Sequence, residues 1–150
     1  MAESFIKVID VQVLTLGTRD GTPDPNSRPI IRFELEDGRE FIMVSIPTDI
    51  ALNLSMIIND IESNDSRLYI HQLIGELALV EKVEIDLMIP QSDVYQATIY
   101  LKPEGFEKTL QFQMVPSNAT LIALSNSAPI YVAETLVKQA EEALGRSGNR

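Results

Sequence analysis

The chain contains no cysteine in 150 residues. That excludes disulfides, thiol nucleophiles and cysteine-ligated zinc or iron–sulfur centres together. Tryptophan is also absent, and the four Tyr and five Phe are dispersed, so the stacking platforms that hold single-stranded nucleic acid are poorly provided. Histidine occurs once, as His71, which by itself makes no metal site. No stretch approaches the roughly 18 consecutive apolar residues of a membrane helix, and the first residues lack the basic and apolar regions of a secretory leader. A soluble, cytoplasmic protein is expected. Phosphate-cradling glycine motifs and nucleophile elbows are missing too. Basic residues are outnumbered, 12 against 22 acidic, for a formal net charge of −10. The overall field therefore opposes a phosphate backbone, and no run of Lys or Arg builds a local exception.

What is present patterns as one α+β domain over residues 1–145 with a short tail at 146–150, without repeats or linkers. Residues 5–16 alternate imperfectly, which predicts a strand with a bulge. Residues 17–28 are dense in Gly and Pro and read as a loop, with Arg19, Asp20, Asp24 and Arg28 as candidate binding groups. Asp37-Gly38 between two apolar-patterned runs predicts a β-hairpin. Ile50, Leu54, Ile57, Ile58 and Ile61 share a helical stripe, predicting a helix from Pro47, as its first helical residue, to about Glu62. Leu73, Ile74, Leu77 and Val80 predict the inner face of a second helix ending near Val80. Val83, Ile85, Leu87 and Ile89 then alternate with Lys82, Glu84, Asp86 and Met88, as on a strand with one buried and one wet face. Residues 94–101 and 110–114 complete an antiparallel meander. Ser117 is placed as the N-cap of a short, nearly all-apolar and therefore buried helix. A brief strand at 130–133 and a helix from Glu134 to about Leu144 close the chain.

Two separated segments carry a family resemblance. One is Arg67 followed by His71-Gln72-Leu73. The other is Pro116-Ser117-Asn118-Ala119, the apolar run through Ile122-Ala123-Leu124, and Ala128-Pro129-Ile130-Tyr131-Val132-Ala133-Glu134. Together with the order of elements, these resemble the bifunctional nuclease domain family over nearly the whole chain. The resemblance implies a metal-assisted phosphodiester hydrolase acting on DNA or RNA, with magnesium or manganese as cofactor. It also implies His71 as catalytic acid or base, Arg67, Gln72, Ser117 and Asn118 as substrate-binding residues, and Asp49 as a metal ligand. The chain departs from the family where Gln72, Gln113 and Asn118 stand in place of aspartates and Val115 in place of an arginine. An amide keeps the shape of a carboxylate and loses the charge that holds a divalent ion.

Each candidate has a plainer reading. His71 is also read as a structural histidine at a helix start, Ser117 and Asn118 as a helix cap, and Glu84 with Asp86 either as a cation pair or as groups that keep a strand face wet. Two functions therefore stand: a nuclease of this family, and a non-catalytic homo-oligomeric binding or interaction module. A homodimer or trimer is expected from the apolar strand edges and the apolar helix, with nucleic acid as a partner only through the resemblance and no membrane partner.

Overall fold

The computed structural model describes residues 3–14, 28–60, 69–89 and 94–148. Among them the elements run β1 (Phe5–Leu14), β2 (Ile30–Leu35), β3 (Glu40–Met43), α1 (Thr48–Ile58), α2 (Ile70–Leu77), β4 (Ala78–Ile89), β5 (Val94–Pro103), β6 (Leu110–Met114), α3 (Pro116–Ser125), β7 (Ile130–Ala133) and α4 (Glu134–Gly148). The fold is α+β: the strands form one seven-stranded sheet in the order β3-β2-β1-β7-β4-β5-β6. Among the described strands only β7 and β4 pair in parallel. No helix among the described residues is long and apolar enough to cross a membrane.

The β2–β3 hairpin forms where Asp37-Gly38 predicts it, by a different turn. Gly38 alone adopts positive φ (+91°), its N–H donates to the Leu35 carbonyl at 3.0 Å, and the Leu35 N–H donates to Arg39 at 2.9 Å. That is a three-residue loop closed by a left-handed glycine, not a two-residue turn. The expected bulge in β1 is present as a register shift between Val8 and Asp10. It keeps Val8 and Val11 on the buried face although they are three residues apart.

The sheet is apolar on one face and curls over it. Phe41 of β3 meets Tyr95 of β5 edge to face, with ring centroids 5.1 Å apart. The two strands stand first and sixth in the sheet, so they touch only because the sheet bends round its own core. Helix α3 lies in that concavity against β4, β5, α1 and α2. Ala119, Leu121, Ile122 and Ala123 are buried, as a helix apolar on all sides requires. The buried Thr120 hydroxyl donates to the Pro116 carbonyl at 2.7 Å, so it adds no unsatisfied group. Helix α4 reaches β7, β4 and β3, with Leu136 and Val137 buried beneath it, and runs to Gly148 instead of stopping near 144.

Four expectations are corrected. Helix α1 takes Pro47 as its N-cap, not as its first helical residue, and terminates where Asp60 turns left-handed (φ 54°); Ile61 and Glu62 lie outside the described residues. Helix α2 ends at Leu77, and Ala78 is already strand, paired with Pro103. A short apolar run fits helix and strand alike, and here the β5 ladder decides. Leu73 and Leu77 are consequently exposed, while His71 and Ile74 face inward. In β4 the alternation breaks at a second register shift between Ile85 and Leu87, so Met88 joins the core and Leu87 and Ile89 turn outward. Lastly, Val115 caps α3 and Pro116 takes its first turn, where its missing N–H removes no helical bond; Ser117 lies one residue inside and is not the cap. The loop at 17–27 and the turn at 90–93 lie outside the described residues.

Candidate functional site

The residues singled out in the sequence fall at two ends of α3. At the C-terminal end, His71 is the second residue of α2 and is 5% exposed. Its ring stacks on Tyr69, with centroids 5.5 Å apart and planes 13° apart. Burial pushes the imidazole below its ordinary pKa, so the neutral ring prevails at neutral pH. The neighbouring Gln72 turns back to accept the Tyr69 N–H at 3.0 Å, the return bond of a capping box. Both residues thus build the start of α2. Arg67 lies outside the described residues.

Asn126, at the end of α3, fastens α2 in place. Its Nδ2 donates to the carbonyls of His71 (3.3 Å) and Ile122 (2.8 Å). Gly75 gives it room: a Cβ there would stand 1.9 Å from the Asn126 Oδ1. Alanine in a helix is favoured over glycine by about 1 kcal/mol, but displacing Asn126 forfeits two hydrogen bonds of about 0.5–1.5 kcal/mol each. Gly75→Ala is therefore expected to destabilise by about 1 kcal/mol in urea unfolding, and to become stabilising when made on top of Asn126→Ala. The same sign in both backgrounds would rule this contact out.

At the N-terminal end of α3 a groove of about 500 Å³ opens between the segment after β3, the start of β5 and the first turn of α3. Val44, Ile46, Pro47, Val94, Tyr95 and Val115 wall it, and Ser45 and Ser117 lie among them. Ser45 is held at φ 58°, in the left-handed region that non-glycine residues seldom occupy. Ser117 is buried, whereas Asn118 is exposed on the same turn. Asp49 lies just beyond the groove in the first turn of α1, exposed, where the helix dipole favours an acid. Nine residues of helix, roughly 13 Å of rise, separate Ser117 from the Asn126 contact with His71. The structure therefore does not bring His71 together with Ser117, Asn118 and Asp49. Among the described residues no three His, Asp or Glu side chains gather to hold a metal ion. The groove can bind an apolar group by removing it from water, and among the described residues none of its lining side chains carries a charge.

Glu84 is buried and Asp86 half-buried, so this side of β4 is not the wet face the alternation predicts, and each carboxylate is already engaged. Thr98 Oγ1 donates to Asp86 at 2.7 Å, Tyr100 donates its hydroxyl to Glu84, and Lys82 Nζ stands 3.7 Å from Glu84 and 4.5 Å from the Tyr100 ring centroid. The bond to Glu84, then burial, then the charges of Glu84 and Asp86 hold the Tyr100 phenol up at about 12. Sequence reasoning missed Tyr100, although its place two residues after Thr98 on an alternating strand put both on the face of Glu84. The groove was missed as well, because its walls come from segments about 50 and 70 residues apart that only the curl of the sheet unites.

In comparison with known proteins, the profile of the bifunctional nuclease domain matches residues 32–144. No curated protein matches the chain.

Proposed function

The chain belongs to the bifunctional nuclease domain family, and from that premise we propose that it is a non-hydrolytic member acting as a homo-oligomeric binding module. The observation that carries this reading is the fate of the positions where the family has acids. Gln72 caps α2, Gln113 lies exposed on β6, and Asn118 lies exposed on α3. All three are uncharged and they stand on three different elements. Metal-assisted phosphodiester cleavage needs carboxylates converging on a cation, and Asp49 offers one. This donor set does not fit a divalent ion. The oligomeric part of the reading is supported by large apolar side chains left on the surface, among them Ile70, Leu77, Leu79 and Phe106, each more than 60% exposed.

The second reading keeps the family activity, with His71 as acid or base and Arg67, Asn118 and Asp49 around magnesium or manganese; the family match favours it. Cleavage of labelled single- and double-stranded DNA and RNA, with magnesium, manganese or chelator, separates the two. The expected outcome is no cleavage above the chelator control. Metal-dependent cleavage that disappears in Asp49→Asn, an exposed and structurally mild change, and in folded His71→Ala would overturn the proposal.

A further inference from the structure

We propose that β6 is the surface through which two copies of this chain meet, pairing antiparallel about a two-fold axis at Phe112 so that two seven-stranded sheets continue into one. The inference rests on the oligomeric part of the preceding reading and names its surface.

A strand at the end of a sheet offers a row of backbone donors and acceptors to any second strand, and proteins ordinarily blunt such edges with charge, proline, bulges or short length. The two ends of this sheet differ in that respect. At one end β3 spans four residues, begins at Glu40 and is ion-paired through that residue to Arg32. At the other end β6 reads Leu-Gln-Phe-Gln-Met, with no charge, no proline and an unbroken register against β5 from Leu101 to Ala97. Among the described residues β6 pairs only with β5, and four of its five residues are exposed. Leu110 and Phe112 are 39% and 50% exposed on the same side as the partly buried Met114.

The chemistry of this edge is symmetric about its midpoint. Antiparallel pairing of two copies centred on Phe112 sets Phe112 opposite Phe112, Gln111 opposite Gln113, and Leu110 opposite Met114. Every apolar side chain then meets an apolar one on one face, and amides meet amides on the other. A two-fold axis normal to the sheet preserves both faces, and the isologous contact closes at two copies. Charge selects the same strip. Two chains of net charge −10 repel one another, and an axis at Phe112 brings the five uncharged residues of each copy into register with no ionic group in the ladder.

The absence of cysteine makes a clean test. In Phe112→Cys the introduced thiol is the only one, and residues directly opposed in an antiparallel pair have Cα atoms about 4.5–5.5 Å apart, within disulfide reach. Mild oxidation is expected to convert most of Phe112→Cys to a covalent dimer on non-reducing gels, while Phe106→Cys, exposed on the neighbouring turn, stays largely monomeric. Light scattering is expected to give twice 16.7 kDa for the wild-type chain, and the monomer mass for Phe112→Lys, with unchanged circular dichroism, because two ammonium groups would face each other across the axis. A wild-type monomer would overturn this surface and the oligomeric reading together. An oligomer that survives Phe112→Lys, or one in which Phe112→Cys fails to cross-link, would overturn the surface alone. Nucleic-acid cleavage by a dimer that does cross-link would leave the surface standing and remove the non-hydrolytic reading.

Discussion

Phe41→Ala is expected to lower the free energy of unfolding by about 3–5 kcal/mol, the range for removing a buried aromatic ring. Phe41 is 1% exposed, and its ring bridges Phe33, at a centroid distance of 6.2 Å, and Tyr95, at 5.1 Å. The loss combines the transfer of the ring to water, the cavity it leaves, and two aromatic contacts worth about 0.5–1.5 kcal/mol each. It also removes the contact that draws β3 onto β5. Met43 and Tyr95, which both line the groove, stand on the two strands that this contact joins. Denaturant unfolding monitored by circular dichroism measures the effect, with Phe112→Ala as the comparison; half-exposed on the edge strand, that residue should cost well under half as much in the unassociated chain. A loss below about 1 kcal/mol for Phe41→Ala would mean that the curl of the sheet contributes little to the folded state.

Tyr100→Phe is expected to cost about 1.5–3 kcal/mol near neutral pH, as is typical of a hydrogen bond to a charged group. Glu84 is 7% exposed and accepts the Tyr100 hydroxyl, so deleting that hydroxyl leaves a buried carboxylate oxygen short of a donor, with Lys82 still alongside at 3.7 Å. The same bond has a pH signature. The phenol titrates at about 12 in the folded protein against 10.0 in the unfolded chain. Between those values the unfolded chain surrenders the proton that the folded one keeps, so the contribution is fully present below pH 10 and is lost as the pH rises towards 12. The stability gap between wild type and Tyr100→Phe should therefore be widest below pH 10 and narrow across that window. Because the other tyrosines are common to both proteins, the difference isolates Tyr100. A gap that stays constant to pH 12 would show that the hydroxyl makes no bond to Glu84 in solution.

Much of the architecture is local and so could be read along the chain. Asp37-Gly38 demands a left-handed backbone whichever turn is used, the imperfect alternation of β1 encodes its bulge, and an apolar helix such as α3 has nowhere to go but inside. The candidate site was legible only as a set of residues. His71-Gln72 and Ser117-Asn118 stand out by their resemblance to the family, and each pair could be placed at a helix start, yet nothing local states that the two pairs lie at opposite ends of α3.

By itself, then, the sequence determined the α+β class, the hairpin, the meander, the buried helix and the absence of thiol chemistry, because each follows from residue type or from a period of two or 3.6 within a short window. Tertiary structure alone decided that residues 78–80 extend as strand, that an extra residue at Asp86 exchanges the faces of β4, and that β3 curls onto β5 to open a groove. It also decided which strand was left at an unguarded edge. These outcomes depend on which distant segment supplies the partner for a hydrogen bond or an apolar face, and that choice is made by the whole sheet.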